Sequence, residues 1–420
     1  MKRHIFFLLA VSMALTLHAQ VTTGDACTDE YLPMLANQRV AIMSNHTGVI
    51  VQDGEVMKDA AGENMHVLDM LLNKKVNVVA IFSPEHGFRG TAKEGEIVKS
   101  SIDDKTGVPI LSLYDGTGGR PSNESMALFD VLIIDIQDVG LRFYTYYVTM
   151  IKLMEACAEQ GKKVIVMDRP NPNGHYVDGP ILDMKHKSGV GYLPIPVVHG
   201  MTLGELALMA NGEKWLKEGR QCDLTVIPCR GYTHQTFYRL PVAPSPNLRT
   251  MLAVYLYPSM CYFEATPVSL GRGTDKPFMI YGHPLYRPIP NPSLKGQGVV
   301  SESGNRGIGE LVNRGIGEPI TFTPANNVQG GRECHGVDLS KMSEEEARTK
   351  GIDLTYLIDA YRALYMDNYF FRSFFELLIG QDYVRKMIIQ GKTNDEIRLM
   401  WQDDVAKFKE QRRPYLLYKE

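Results

Sequence analysis

The stretch 76–90, VNVVAIFSPEHGFRG, constrains the fold of this chain most, because its apolar run stops abruptly at Ser, Pro, Glu, His and Gly. A run of β-branched and aliphatic residues with such an end predicts a buried parallel strand. Glu85 and His86 would then follow the carboxyl end of that strand, where open α/β sheets bind their ligands. An acid and an imidazole at that edge are candidates for chemistry, although Glu85 could instead cap the next turn.

The same pattern recurs along the chain, with helical segments between the apolar runs. Five strands are predicted, at residues 39–43, 76–82, 110–114, 131–136 and 164–167. The helices predicted between and after them include residues 64–73, 146–160, 202–211 and 393–409. The helix at 202–211 begins with a capping box of Thr202 and Glu205. Strands that alternate with helices indicate βαβ units, and therefore a Rossmann-like α/β fold with a mostly parallel sheet.

The amino terminus predicts export. Residues 1–4 are positively charged, residues 5–17 are apolar and Ala19 ends a cleavage site, which is typical of a secretory signal peptide at residues 1–19. Removal of that segment would leave a periplasmic or extracellular protein. The apolar segment is short and no later stretch reaches eighteen apolar residues, so no stable membrane insertion is predicted.

Composition and missing motifs exclude several classes of protein. The 420 residues carry a net charge of −3, which gives no basic surplus for nucleic acid. The sequence has no GxGxxG after a strand, no phosphate loop, no GxSxG elbow and no CxxC pair, so neither a cofactor nor a metal is predicted. The six cysteines are scattered and are predicted mostly as buried free thiols.

Polar residues follow each of the five predicted strands, and parallel strands would bring them to one edge of the sheet. They are Asn45, His46, Glu85, His86, Tyr114, Asp115, Gln137, Asp138, Asp168 and Arg169. A single polar strand end can be a capping group, but five in succession predict a pocket. Arg142 beside Tyr144 and Tyr146 suits an anionic sugar, whereas the alternative for the tyrosines is a helix packed on the sheet.

Six motifs together resemble one known family, the bacterial exo-β-N-acetylmuramidases. The motifs are SPEHG at 83–87, DIQDVGLRFYTY at 135–146, DRPNPNG at 168–174, HGMTLGELA at 199–207, PSPNL at 244–248 and FEATPVSLGRGTDKPF at 263–278. The resemblance implies exo-cleavage of N-acetylmuramic acid from the non-reducing ends of peptidoglycan-derived sugars. It also implies a Rossmann-like catalytic domain, here 20–283, and a smaller C-terminal α+β auxiliary domain, here 284–420 after a Pro-rich segment.

Glycoside hydrolysis by this family needs an acid that protonates the leaving oxygen, and usually a second carboxylate. Glu85 is predicted as the acid, because partial burial at a strand end can keep a carboxyl protonated until the reaction. Asp138, Asp168 and Glu264 are the candidates for the second group. Attack by the acetamido oxygen of the substrate itself is a further route, and the sequence does not choose between them.

Peptidoglycan fragments that end in N-acetylmuramic acid are the partners that the resemblance implies. Arg142 and Arg272, the latter on a Gly-rich loop, are the candidates for binding the lactyl carboxylate. The full set of predicted substrate-binding residues is Asn45, His86, Arg142, Tyr144, Tyr146, Arg169, Asn171, His199 and Arg272. The alternative function is a non-catalytic periplasmic binder of muropeptides or amino sugars. A proton donor such as Glu85 favours the enzyme, because a binder has no need of one.

Overall fold

The computed structural model describes residues 20–85, 87–89, 100–113, 119–286, 317–364, 366 and 369–420. The predicted signal peptide, His86, Tyr114 and Asp115 lie outside the described residues, so the predictions made for them stay predictions.

A seven-stranded sheet forms the centre of the molecule. In chain order its strands are β1 (Val40–Ser44), β4 (Val78–Ser83), β5 (Ser101–Ile102), β6 (Pro109–Ser112), β7 (Val131–Asp135), β8 (Lys163–Met167) and β9 (Asp223–Ile227). The strands β2 (Val51–Gln52) and β3 (Glu55–Val56) are not part of this sheet and form a separate hairpin. The spatial order is β5-β6-β4-β1-β7-β8-β9, and all pairs are parallel except β5 with β6. The predicted Rossmann-like α/β fold is therefore confirmed.

Both faces of the sheet are covered, which explains why its strands appear in the sequence as unbroken apolar runs. In β1, Ala41 and Met43 belong to one hydrophobic cluster, whereas Val40 and Ile42 belong to a second. The same division holds in β7, where alternate residues point to opposite sides of the sheet.

The helices are close to those predicted, with a few differences. They are α1 (Thr28–Tyr31), α2 (Val67–Asn73), α3 (Asn123–Ala127), α4 (Tyr146–Gln160), α5 (Leu203–Gly212), α6 (Met251–Met260), α7 (Glu344–Lys350), α8 (Thr355–Leu364), α9 (Phe374–Ile379), α10 (Tyr383–Ile389), α11 (Asn394–Leu399) and α12 (Gln402–Arg412). The predicted capping box of Thr202 and Glu205 is present. The sequence did not predict α6, because its residues are buried on all sides and show no amphipathic period.

One predicted helix, 393–409, is in fact two helices, α11 and α12, and this prediction was wrong. Trp401 lies between them, is buried and donates a hydrogen bond of 2.9 Å from Nε1 to Oδ1 of Asp178. Asp178 is distant in sequence, so the local pattern carried no sign of the break.

A second sheet has three antiparallel strands in the order β10-β12-β11, with β10 at Ile280–His283, β11 at Glu318–Phe322 and β12 at Cys334–Asp338. Strand β10 precedes the predicted boundary at 283/284, whereas the other two strands of this sheet follow it. That boundary stays a prediction. The six cysteines are buried and free, as predicted. Within the described residues, no helix has the length and apolarity that a membrane span requires.

Candidate active site

The strand order places Glu85 and the segment after β7 on either side of β1. The chain runs outward from β1 through β4 to β6, and then returns to the other side of β1 with β7. Ligands of doubly wound sheets bind where the strand order reverses, outside the carboxyl ends of the strands. Glu85 follows β4 and Thr145 follows β7, so both lie beside this reversal.

Glu85 and Thr145 are joined directly. Oγ1 of Thr145 donates a hydrogen bond of 2.9 Å to Oε2 of Glu85. Thr145 is the N-cap residue of α4, but its side chain makes no capping hydrogen bond to that helix. A threonine at an N-cap usually accepts from the helix backbone. Here its hydroxyl instead orients the carboxyl that was predicted as the catalytic acid.

Glu85 lines a cavity of about 120 Å³. The other residues that line it are Phe143, Tyr144, Thr145, Tyr146, Val190, Ser245, Asn247, Leu248, Tyr257, Glu264, Arg272 and Phe278. Glu85 and Glu264 are the two carboxyl groups among them. A larger cavity, of about 430 Å³, contains none of the predicted site residues. We assign the candidate active site to the smaller cavity, because acid and carboxylate chemistry converge there.

Glu264 and Arg272 form an ion pair at the wall of this cavity. Nη2 of Arg272 donates to Oε1 of Glu264 at 2.6 Å, and the guanidinium lies 5.2 Å from the centroid of the Phe278 ring. Phe278 has a φ of 63°, which is strained for a bulky residue, and such strain is common at functional sites. At Gly271, φ is 78° and a Cβ would lie 2.6 Å from Cγ1 of Ile280, so the turn that carries Arg272 requires glycine.

Tyr144 and Tyr146 form another wall of the cavity and are also part of the buried core, so their role in binding a sugar stays a prediction. Their rings meet edge to face at 4.8 Å, and both hydroxyls donate to the carbonyl oxygen of Pro244, at 2.8 and 3.2 Å. Burial, together with the negative charge of Glu85, raises the pKa of Tyr146. Asn45 is buried beneath this wall, where its Oδ1 accepts from the backbone and the hydroxyl of Thr47.

Asp138 lies close to this site but does not line the cavity. Its Oδ1 accepts from the backbone N–H of Gly140 at 2.7 Å, and its Oδ2 has no hydrogen-bond partner among the described residues. Burial raises the pKa of Asp138 to about 7. Position therefore gives little support to Asp138 as the second catalytic carboxylate.

Asp168 lies away from the cavity, in a buried network at the end of β8. Its Oδ2 accepts from the hydroxyls of Thr202 and Tyr418, both at 2.6 Å, and its Oδ1 accepts from the backbone N–H of Gly204 at 2.8 Å. Burial raises the pKa of Asp168 to about 6. The hydrogen bond from Tyr418 to Asp168 holds the C-terminal tail against the sheet. Because both oxygens of Asp168 are occupied and its side chain is not exposed, its position does not support a catalytic role.

Arg169, predicted to bind substrate, is also an internal residue. Its Nε donates to Asp135 at 2.6 Å and its Nη2 donates to Asp25 at 2.7 Å, in a cluster whose side chains are almost completely buried. A third donor reaches the backbone carbonyl of Val49 at 2.9 Å. A buried guanidinium with these partners cannot turn toward a ligand without exposing unpaired carboxylates.

Arg142 likewise does not line the cavity, and its two terminal nitrogens donate to backbone carbonyls. Nη1 donates to Pro180 and Ile195, at 2.6 and 2.9 Å, and Nη2 donates to Leu378 and Ile379, at 3.0 and 2.8 Å. The last two carbonyls end α9, where a positive charge is favourable. Arg142 therefore joins the segment after β7 to a C-terminal helix, and Arg272 is left as the candidate that lies in the cavity.

Asn171 and His199 support loops beside the sheet. Nδ2 of Asn171 donates to the carbonyl of Met201 at 2.8 Å, and Nδ1 of His199 accepts from the backbone N–H of Met201 at 3.2 Å. Burial lowers the pKa of His199 to about 3, so this histidine is neutral at ordinary pH. Neither residue lines the cavity.

Several residues of the cavity were missed as site residues by sequence reasoning. Thr145 looked like an ordinary N-cap, and Tyr257 lies on the unpredicted helix α6. Ser245, Asn247 and Leu248 belong to the motif PSPNL, which was recognised only as part of the family resemblance. Its proline- and serine-rich composition could have indicated a rigid loop at the site.

The described residues contain no group of three or more His, Cys, Asp or Glu side chains that could hold a metal ion. The described residues that line the cavity supply carboxyl, guanidinium, hydroxyl, amide and aromatic groups.

Comparison with known proteins gives a consistent result. Residues 40–252 match the family model described as Exo-beta-N-acetylmuramidase NamZ, N-terminal, and residues 255–418 match the one described as Exo-beta-N-acetylmuramidase NamZ, C-terminal. The chain is 35% identical over 408 residues to the peptidoglycan beta-N-acetylmuramidase NamZ of Bacillus subtilis (strain 168), covering 95% of this chain and 92% of that protein.

Two solved structures, both of DUF1343 family proteins from Bacteroides fragilis NCTC 9343, are similar to this one. The first is 56% identical with a TM-score of 0.80, and covers 95% of this chain and 99% of its own. The second is 28% identical with a TM-score of 0.76, and covers 96% of this chain and 100% of its own. Of the two carboxyl groups in the cavity, Glu85 lies in the segment matched by the N-terminal family model and Glu264 in the segment matched by the C-terminal one.

Proposed function

Because this chain belongs to the exo-β-N-acetylmuramidase NamZ family, we propose that it is an exo-acting glycoside hydrolase of peptidoglycan-derived sugars. It releases N-acetylmuramic acid from their non-reducing ends. The observation that carries the proposal is the cavity in which Glu85, oriented by Thr145, faces the same space as Glu264 and Arg272.

Glu85 acts as the general acid in this proposal. Its proton passes to the glycosidic oxygen as the bond from that oxygen to the anomeric carbon breaks, so the leaving sugar departs as an alcohol. The hydrogen bond from Thr145 fixes one oxygen of the carboxyl and so directs the other. Such orientation matters, because proton transfer requires hydrogen-bond distance in the reacting complex.

Glu264 is the second carboxylate in this proposal. Of the sequence candidates it alone shares the cavity with Glu85, whereas Asp138 and Asp168 lie outside it. The ion pair with Arg272 keeps negative charge near the anomeric carbon, where positive charge develops during cleavage. The stereochemistry of the product distinguishes an inverting route from the two retaining routes. Release of the α-anomer indicates Glu264 as a base for water, and release of the β-anomer indicates attack by the acetamido oxygen or by a carboxylate.

Arg272 recognises the lactyl carboxylate that separates N-acetylmuramic acid from N-acetylglucosamine. A guanidinium has five N–H donors, so it can hold Glu264 and a ligand carboxylate at once. The aromatic residues Tyr144, Tyr146, Tyr257 and Phe278 offer the apolar faces on which a sugar ring packs.

The test is hydrolysis of a chromogenic β-glycoside of N-acetylmuramic acid by the purified full chain. We expect release of the chromophore, and much less from the matching N-acetylglucosaminide. We also expect the free sugar from peptidoglycan fragments that begin with N-acetylmuramic acid, but not from fragments that begin with N-acetylglucosamine. Release no greater than that by a Glu85→Gln variant would overturn the proposal. Calorimetric binding without turnover would instead identify the alternative, a muropeptide-binding protein.

We also propose that residues 1–19 direct export and are removed, which places the mature protein in the periplasm or outside the cell. The charged start and apolar core of that segment support the proposal. Amino-terminal sequencing of protein recovered from the periplasm or the medium tests it. A chain that stays in the cytoplasm with Met1 in place would contradict it.

A further inference from the structure

A second cleft, separate from the active-site cavity, has a strong excess of positive charge. This cleft, of about 430 Å³, lies between segment 175–178 and the helices α7, α11 and α12, and no residue lines both it and the active-site cavity. Its charged lining residues are Arg348, Lys350, Arg398, Lys409 and Asp178. The chain as a whole has a net charge of −3, so positive charge is concentrated here.

Two of the four cations serve the structure of the cleft. Nη2 of Arg398 donates to Oδ2 of Asp178 at 2.8 Å, and Nζ of Lys350 lies 3.3 Å from Oδ2 of Asp353. Trp401 donates to the other oxygen of Asp178. Both carboxylate oxygens of Asp178 therefore already accept hydrogen bonds, which reduces the repulsion between Asp178 and an anionic ligand in the cleft.

The other two cations, Arg348 and Lys409, belong to the lining of the cleft, and neither has a carboxylate partner among the described residues. Arg348 contacts uncharged groups, since its Nη2 donates to the carbonyl of Gln235 at 3.2 Å and its guanidinium lies 5.8 Å from the Phe237 ring. Lys409 is exposed on α12. In the part of the chain that the structure describes, neither residue forms an ion pair. They come from different helices, so together they can bind two anionic groups of one ligand.

The rest of the lining is largely apolar and includes Tyr176, Val177, Val405 and Ala406. We propose that this cleft binds an acidic peptide, with Arg348 and Lys409 each pairing with a carboxylate and the apolar lining covering the aliphatic parts between. A space of this volume is larger than a single inorganic anion needs, and pockets of this size usually hold several residues or a small molecule.

The choice of a peptide rests in part on the proposed function. In peptidoglycan fragments, muramic acid residues other than the terminal one that Arg272 recognises can carry peptides through the lactyl group, and these peptides contain carboxylates. A cleft that holds such a peptide would retain cell-wall fragments near an enzyme that cleaves their sugar ends. The site raises the effective concentration of the substrate without contacting the reacting bond.

Calorimetric titration of the full chain tests the inference with an N-acetylated tri-glutamate peptide as the probe. The tri-glutamine peptide and inorganic phosphate are the comparison probes. The test variant is Arg348→Gln with Lys409→Gln. The control is Arg239→Gln with Lys407→Gln, which removes the same charge from exposed positions outside the cleft. Thermal melting of each variant checks that it is folded.

We expect tri-glutamate to bind the wild type more tightly than either comparison probe. The test variant should bind it about tenfold or more weakly, and the control within about twofold of the wild type. Binding should weaken when salt rises from about 0.05 to about 0.5 M, because exposed charges are then screened. The inference would be overturned if tri-glutamate did not bind, or if both variants bound it equally weakly. It would also be overturned if the glutamine peptide or phosphate bound as tightly as tri-glutamate.

Turnover separates this inference from the proposed function. The test variant should hydrolyse a peptide-free chromogenic glycoside at the wild-type rate, and Glu85→Gln should bind tri-glutamate like the wild type. A wild type that binds the peptide but cleaves no muramic glycoside would refute the enzyme and leave the anion site standing. A wild type that cleaves the glycoside but does not bind the peptide would refute the anion site alone.

Discussion

Thr145 donates a hydrogen bond of 2.9 Å to Glu85, across 60 residues of sequence and across the strand β1 that separates their two strands. The contact links the carboxyl end of β4 to the first turn of α4. It makes the position of the proposed catalytic acid depend on the packing of the helix, and it connects the fold to the chemistry.

Replacing Glu85 by Gln should remove most turnover and spare binding, because the amide has the shape of the carboxyl but cannot give up a proton. General acid catalysis contributes about a hundredfold to ten-thousandfold, so kcat should fall by that factor on an unactivated substrate. Steady-state kinetics and calorimetry measure the two effects, with Glu55→Gln at an exposed position as the control. A variant that keeps more than about a tenth of the wild-type rate would end the assignment of Glu85.

Replacing Thr145 by Val should lower kcat by about twofold to tenfold, since a hydrogen bond to a neutral carboxyl group contributes about 0.5–1.5 kcal/mol. The value of KM should change little, because the hydroxyl positions the acid and does not bind sugar. Thr145→Ser keeps the hydroxyl and should restore most of the rate. If Ser and Val variants lose activity equally, then packing of the methyl group, and not the hydrogen bond, explains the effect.

Replacing Arg272 by Gln should weaken selection for the muramic sugar. A lost bidentate contact costs on the order of 2–4 kcal/mol toward N-acetylmuramic acid and little toward N-acetylglucosamine. The measurement is kcat/KM on the two chromogenic glycosides. The comparison variant is Arg142→Met, which should lower the melting temperature because it removes the guanidinium donors from four buried carbonyls. Equal losses of kcat/KM on both sugars would show that Arg272 supports Glu264 or the fold and does not select the sugar.

Replacing Asp138 by Asn should change how stability depends on pH. The pKa of Asp138 is raised to about 7 by burial, so between about 4 and 7 the folded state holds a proton that the unfolded state has lost. The contribution of this group to stability is therefore complete below about pH 4 and falls as pH rises, by about 1.4 kcal/mol per pH unit, until about pH 7.

Asn cannot titrate, so the Asp138→Asn variant should gain stability relative to the wild type as pH rises from about 4 to about 7, with no further gain above. Chemical denaturation of both proteins across this range measures the difference in free energy of unfolding. A difference that stays constant with pH would show that Asp138 is ionised in the folded protein.

Replacing Tyr418 by Phe should destabilise the fold without changing the chemistry. The hydroxyl of Tyr418 donates to Asp168 and accepts from the backbone N–H of Cys229 at 2.9 Å. Its loss leaves the Cys229 N–H without that acceptor and removes one of the two hydroxyl donors to Oδ2 of Asp168. The expected cost is about 1–3 kcal/mol in the free energy of unfolding, with kcat per folded molecule unchanged. Tyr369→Phe, at a position that is 84% exposed, is the control. A large fall in kcat with an unchanged melting temperature would return Asp168 to the catalytic candidates.

The sequence by itself determined the sheet and the strand end that carries Glu85. Buried parallel strands are continuous apolar runs, and a run is a local property that neighbouring residues display. The predicted strand 131–136 differs from the observed β7, Val131–Asp135, by one residue, and α4 begins and ends where the pattern predicted. The motifs also identified the family, because several specific segments occur together in order.

Only the tertiary structure decided which of the polar strand ends face the cavity and which are internal. Glu85 and Asp168 each follow a parallel strand of the same sheet. Asp168, however, is covered by Tyr418, which donates a hydrogen bond to it and is 250 residues away in sequence. Arg142 looked like a ligand-binding residue, but its acceptors Leu378 and Ile379 come from the far end of the chain. A polar side chain can be buried only where it finds hydrogen-bond partners, and these partners often come from segments that are distant in sequence. They therefore cannot be predicted from the neighbouring residues of the chain.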